Sequence, residues 1–190
     1  MVTVERTLPG EQPEEHALIE RARRGDGDAY GELVIRYQGI AARTAYLITQ
    51  DPSEAEEAAQ DAFVKAYQAL GRFREGAPFR PWLLRIVANE ALNRRKSAGR
   101  RPTVELTEAF DRPLDDRAAS PETAALASET RRMVLSALAR LRDEDRLIIS
   151  YRYFLDLSEV EMADALGVAR GTVKSRLSRA MARLREVMRG

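Results

Sequence analysis

Apolar residues recur along the chain at intervals of three and four, and nowhere do they alternate with polar residues over a strand-length run. That period predicts an all-α protein. Pro9, Gly10 and Pro13 interrupt the start, so residues 1–13 are expected to be a mobile tail before a first helix over Glu14–Arg24. The run Gly25-Asp26-Gly27-Asp28 breaks and restarts the chain. Tyr30, Leu33, Val34, Tyr37, Ile40, Ala41, Ala45 and Ile48 then form the stripe of a long amphipathic helix. Asp51 supplies the N-cap of a third helix, Pro52 suits its first position, and Ala58, Phe63, Ala66, Tyr67 and Leu70 are its candidates for burial. A loop is expected over Gly71–Pro81. A fourth helix follows over Trp82–Ala98, with Leu83, Ile86, Val87 and Ala91 on its inner face and Trp82 read as packing rather than as a stacking platform.

From Gly99 to Ser120 the period disappears, and Pro102, Pro113 and several carboxylates take its place, as in a flexible linker. Ser120-Pro121 reads as a cap and first helical residue leading through Leu126, Met133, Leu138 and Leu141. A short helix over Asp143–Phe154 follows. The organisation expected is two small helical domains, 14–98 and 121–190, joined by an acidic linker over 99–120.

The formal net charge of the 190 residues is only +1, but the charges are segregated. Arg170–Arg189 is dominated by cations, whereas Glu54–Asp61 and Glu105–Asp116 lean acidic, so partners of both signs are implied. With no cysteine, disulfides, thiolate metal sites and a catalytic thiol are excluded. No apolar run reaches bilayer length and the polar start is unlike a signal peptide, which points to the cytoplasm. His16 is the single histidine, and no nucleophile–base set or metal-ligand spacing is visible. No cofactor or metal is expected, and an enzyme such as a nuclease is the weakest of the classes considered.

The most informative stretch is Leu157–Leu177. Ser158 and Glu161 form a capping box, Gly167 ends a short helix, and the next helix aligns Val173, Leu177, Ala180 and Leu184 on one stripe. Lys174, Ser175, Ser178 and Arg179 must then face outward. This is the pattern of a helix-turn-helix with a basic second helix, and it points to DNA.

The order of parts resembles a bacterial RNA polymerase sigma factor of the extracytoplasmic-function type. The resemblance rests on Gln60-Asp61-Ala62-Phe63, on Pro81-Trp82-Leu83-Leu84-Arg85-Ile86-Val87-Ala88-Asn89-Glu90-Ala91, and on Gly171-Thr172-Val173-Lys174-Ser175-Arg176-Leu177. It implies sigma domains two and four alone and three surfaces. Glu54, Glu56, Glu57, Gln60, Asp61 and Phe63 would dock the clamp of the core polymerase, although Ala58 and Ala59 stand where larger apolar residues are common. Phe73, Phe79, Arg85, Asn89 and Asn93 would meet the opened minus 10 element, with Arg94 and Arg95, beside Lys96, Arg100 and Arg101, neutralising phosphate. Ser175 and Ser178 would touch base edges of the minus 35 element, while Lys174, Arg179 and Arg152 take phosphate or flanking positions. Ala169 replaces a common proline before that helix. The linker carboxylates would follow the path of nascent RNA, and an anti-sigma factor is a further possible partner. A stand-alone helix-turn-helix regulator is the alternative, but it leaves the first domain without a role.

Overall fold

The structure, a computed structural model, describes residues 11–97 and 121–189. Residues 1–10 of the expected tail, the linker carboxylates, Arg100 and Arg101 lie outside the described residues, whereas residues 11–13 already belong to the first helix. Eight α-helices are described: α1 (Glu11–Arg23), α2 (Gly27–Thr49), α3 (Pro52–Ala69), α4 (Phe79–Ser97), α5 (Pro121–Ala139), α6 (Asp143–Tyr153), α7 (Glu159–Leu166) and α8 (Arg170–Arg189). A single 3₁₀ turn over Leu70–Arg72 follows α3.

The ends of these helices follow from capping chemistry. Asp26 accepts from the Ala29 amide at the start of α2, and this hydrogen bond is the main reason its carboxyl is held below the usual range. Asp51 does the same for the Glu54 amide at the start of α3. At α7 the Ser158 hydroxyl accepts from the Glu161 amide while the Glu161 carboxylate accepts from the Ser158 amide, completing the capping box. Gly167 closes α7 with φ of 64°, and the Val168 amide donates back to the Ala163 carbonyl.

Helices α1 to α4 pack around a core that includes Leu33, Ala41, Ala45, Ile48, Leu83, Leu84 and Val87. The face of α3 toward it consists of Ala55, Ala58, Ala59, Ala62, Phe63 and Ala66. Small side chains there bring the α3 backbone close to α2 and α4. In the second domain, Val173, Ala180 and Leu184 seat α8 against α6 and α7, whose buried residues include Leu147, Ile148, Ile149 and Met162.

Three elements differ from the sequence expectation. Helix α1 begins before Glu14, and α4 begins at Phe79 rather than Trp82, because Phe79 is anchored in an aromatic cluster that shortens the loop. Helix α5 stops at Ala139, and Met133, read as a core position, is 58% exposed.

The two domains also touch one another, which the sequence did not address. Helix α4 lies against α7, and α2 lies against α6. Tyr151 is buried and donates to the Leu84 carbonyl at 3.1 Å. Burial raises the pKa of this phenol, so it stays a donor. Arg80 donates to the Leu155 carbonyl at 2.5 Å, Arg95 pairs with Asp143 at 2.5 Å, and Gln50 donates to the Leu135 carbonyl at 3.2 Å.

Candidate functional site

Three surfaces carry the residues of interest, and the fold sorts them by face. The outward side of α8 is the simplest. Its buried stripe of Val173, Ala180 and Leu184 fixes the opposite side toward solvent, and Lys174, Ser175, Ser178 and Arg179 are all exposed there. Two of these polar groups are steadied locally: Ser175 donates to the Thr172 carbonyl at 3.0 Å, and Arg179 donates to the Ser175 carbonyl at 3.2 Å. Arg152, on α6, is exposed and donates to the Leu157 carbonyl at 3.1 Å. Helix α8 begins at Arg170 without a proline, and the Ala169 carbonyl accepts from the Thr172 amide at 2.8 Å. A rod-like helix bearing cations and short hydroxyls on its free face has the dimensions and chemistry of a major-groove reader.

The second surface, around α4, is less available than the sequence suggested. Phe73 and Phe79 are 4% and 0% exposed, which corrects their reading as loop aromatics poised for bases. They join Tyr37 and Trp82 in one cluster, with ring centroids 4.9 to 5.7 Å apart. Trp82 packs against both phenylalanines and keeps partial exposure. Asn89 and Asn93 are exposed, one turn apart along α4, in line with Arg85. The Arg85 guanidinium rests on the turn of the helix-turn-helix: a Cβ at Gly167 would lie 3.0 Å from Arg85 Nη2. Arg95 is taken up by Asp143 of the second domain. Arg94 turns away from its assigned phosphate role toward α3, where Glu57 lies at 2.5 Å, Asp61 at 2.7 Å and Glu54 at 3.5 Å.

Helix α3 forms the third surface. Glu54, Glu57 and Asp61 lie along the edge facing Arg94, whereas Glu56 and Gln60 look outward and are exposed. Phe63 is only 9% exposed and belongs to the core, which corrects its reading as a docking side chain. The outward stripe continues instead through Val64, 58% exposed, and Tyr67, 43% exposed. The sequence reading missed Val64 and counted Tyr67 as core. Their spacing from Glu56 and Gln60 was the signal that could have found them. Tyr67 also packs against Tyr30 with ring centroids 4.8 Å apart and the rings tilted by 54°, and the Tyr30 hydroxyl donates to the Phe63 carbonyl. The resulting stripe is acidic at one end and apolar at the other, as a docking face for a basic amphipathic surface would be.

Among the described residues no group of His, Asp or Glu side chains could hold a metal ion, and no helix is long and apolar enough to cross a membrane.

Comparison with known proteins converges on one family. Residues 33–101 match Sigma-70 region 2, and residues 131–184 match Sigma-70, region 4. The RNA polymerase sigma-H factor of Pseudomonas aeruginosa is 38% identical over 89% of this chain and 91% of its own. The ECF RNA polymerase sigma-E factor of Escherichia coli K12 is 33% identical over 90% of this chain and 92% of its own. Among solved structures, CnrH in complex with the cytosolic domain of CnrY is 26% identical, with a TM-score of 0.68 over 92% of this chain and 97% of that one.

Proposed function

The chain belongs to the sigma-70 family, among the sigma factors of extracytoplasmic-function type, and from that membership we infer how its two domains direct core RNA polymerase to a promoter. The outward stripe of α3, running from Glu56 through Gln60 to Val64 and Tyr67, docks the polymerase. The outward face of α8 reads the minus 35 element, with Ser175 and Ser178 toward base edges and Lys174, Arg179 and Arg152 toward phosphate. Asn89 and Asn93 meet bases of the opened minus 10 strand, where an amide can satisfy both a donor and an acceptor. The protein places the polymerase, makes no bonds itself, and works where the polymerase is, in the cytoplasm.

The observation that carries this reading is the division of labour between α8 and α3. One offers a cationic, hydroxyl-bearing face suited to a duplex, and the other an acidic and apolar face that repels one. A stand-alone regulator would need only the first. Transcription with purified core enzyme on a randomised promoter library tests it. Enrichment of paired upstream and downstream elements is expected, and binding to the same elements without core would favour the alternative.

The closed arrangement belongs to the chain away from DNA. Elements named for positions 35 and 10 lie apart by on the order of 85 Å of duplex, whereas α4 and α7 are in contact. Reading both elements therefore requires the domains to part. The segment between Ser97 and Pro121 can reach about 80 Å when extended. An anti-sigma factor, the kind of partner that NepR is for the sigma factor RpoE of Bartonella quintana, would act by favouring the closed form.

A further inference from the structure

Arg94 stands between two of these surfaces and belongs wholly to neither. Its guanidinium is held by hydrogen bonds to Asp61 and Glu57, and these bonds, Asp61 first, raise its pKa above the ordinary value. Its Nε is buried without a partner, so the fork of the side chain is aimed entirely at the α3 carboxylates. Around the helix it sits about 100° from Asn93, the neighbouring residue on the face assigned to DNA.

We propose that Arg94 is a charge carried between the two surfaces: paired with Glu54, Glu57 and Asp61 while the polymerase is absent, and released to a nucleic-acid phosphate beside Asn93 when the polymerase takes those carboxylates. The proposal rests on the docking role of α3 given above and extends it from the outward stripe to the adjoining edge, since Glu57 and Asp61 are the immediate neighbours of Glu56 and Gln60 along the helix. One guanidinium facing three carboxylates leaves the α3 edge with a local charge of −2, attractive to a basic surface. An incoming cation competes for the same oxygens and repels Arg94. A long, permanently charged side chain that loses its carboxylates then finds its best remaining partner in a phosphate, which the same planar fork fits. Docking and strand binding are thereby coupled, and the coupling acts in both directions.

The test uses the salt dependence of binding, because each phosphate contact on a single strand contributes a slope of about 0.7 in log K against log salt. In the isolated chain on a short mixed-sequence single strand, Arg94→Gln should leave that slope unchanged, since Arg94 is occupied. The pair Glu57→Gln and Asp61→Asn should steepen it by about 0.7, and adding Arg94→Gln should remove the increment. In the holoenzyme on the same strand, Arg94→Gln alone should flatten the slope by about 0.7. Retention of the increment in the triple variant would reduce it to general removal of negative charge and overturn the proposal. So would an unchanged slope in the holoenzyme. Failure of the wild-type chain to bind core would instead overturn the docking role of α3, and the isolated-chain arm would still decide whether Arg94 is restrained. Thermal melts of each variant confirm that the fold is retained.

Discussion

Arg146 Nη1 donates to the Ile48 carbonyl at 2.9 Å, joining α6 of one domain to the end of α2 in the other. The rest of the guanidinium is committed within its own domain, to Leu138 at 2.8 Å, Ala139 at 2.7 Å and Leu141 at 3.1 Å. Arg146 is completely buried, and each of these partners is a backbone carbonyl. Ile48 lies at the C-terminal end of α2, and Leu138 and Ala139 at that of α5, where unpaired carbonyls give a helix its negative pole. Two such poles converge on one cation.

Arg146→Met should therefore lower the stability of the closed chain by about 2 to 5 kcal/mol, because the carbonyls left behind are buried. Arg146→Lys should recover only part of the loss, since an ammonium cannot reach four acceptors with a planar fork. Urea denaturation measures both. A loss too small to detect for Arg146→Met would mean the bridge is not what stabilises the closed form.

Asp143→Arg sets two cations face to face where Arg95 and Asp143 now pair, and should loosen the domains while each keeps its helices. The chain has no cysteine, so dyes can be attached after Gln38→Cys and Arg185→Cys substitutions. A longer inter-dye distance with an unchanged helical spectrum is the outcome expected. The pair itself is worth at most about 1 kcal/mol, so a partial shift in population is anticipated rather than complete opening.

Docking should separate neighbouring residues of α3. Val64→Asp and Tyr67→Ala are expected to weaken retention of core polymerase with little loss of stability. Phe63→Ala should cost about 3 kcal/mol or more of stability, as a large-to-small change in a core does. Co-purification and thermal melts, run on the same variants, give the two readouts. If Val64→Asp binds core normally, the stripe ends at Gln60.

On α8, Lys174→Ala should reduce affinity for different duplexes to a similar degree and flatten the salt slope by about 0.9, the share of one phosphate. Ser175→Ala should leave that slope alone and change which upstream sequence is chosen. Selection from a randomised minus 35 library decides the second point, and an unchanged consensus would remove Ser175 from base contact.

Asn89→Ala should impair opening more than initial binding, because its amide meets a base edge only after the strands separate. A lost contact of this kind costs on the order of 1 to 3 kcal/mol, about tenfold or more in the opening equilibrium. Permanganate footprinting on intact and pre-melted templates distinguishes the steps. Normal opening of the intact duplex by the variant would refute the role.

The helices and the helix-turn-helix were legible because each is specified locally. Asp26, Asp51 and the Ser158–Glu161 pair mark starts, Gly167 marks a stop, and the stripe of α8 follows from the period alone. What sequence could not supply was which side chains meet across helices. Phe73 and Phe79 carry the same residue type whether they face a base or one another, and only the fold brings their rings 5.7 Å apart. Arg94 and Arg95 are adjacent cations in the chain, yet one points to α3 and the other to the second domain. The period alone places Phe63 on the buried stripe, where the structure has it, and it is the resemblance that also sets Phe63 on the docking surface and leaves Val64 unmentioned. Closure of the two domains depends on contacts between residues far apart in sequence, from Arg95 with Asp143, 48 positions apart, to Arg146 with Ile48, 98 apart, and no local pattern encodes it.

The meeting of Arg85 with Gly167 has a genetic consequence. The left-handed backbone of Gly167, φ 64°, can be kept by asparagine, so Gly167→Asn should spare the turn while its added side chain pushes against Arg85. Any loss of function from that lesion would then originate between domains, and second-site revertants should arise at Arg85, in the other half of the gene, as changes to smaller residues. Bulkier, β-branched substitutions at 167 break the turn itself and should yield no revertants at Arg85. The spectrum of suppressors would record in living cells whether the closed form is ever occupied.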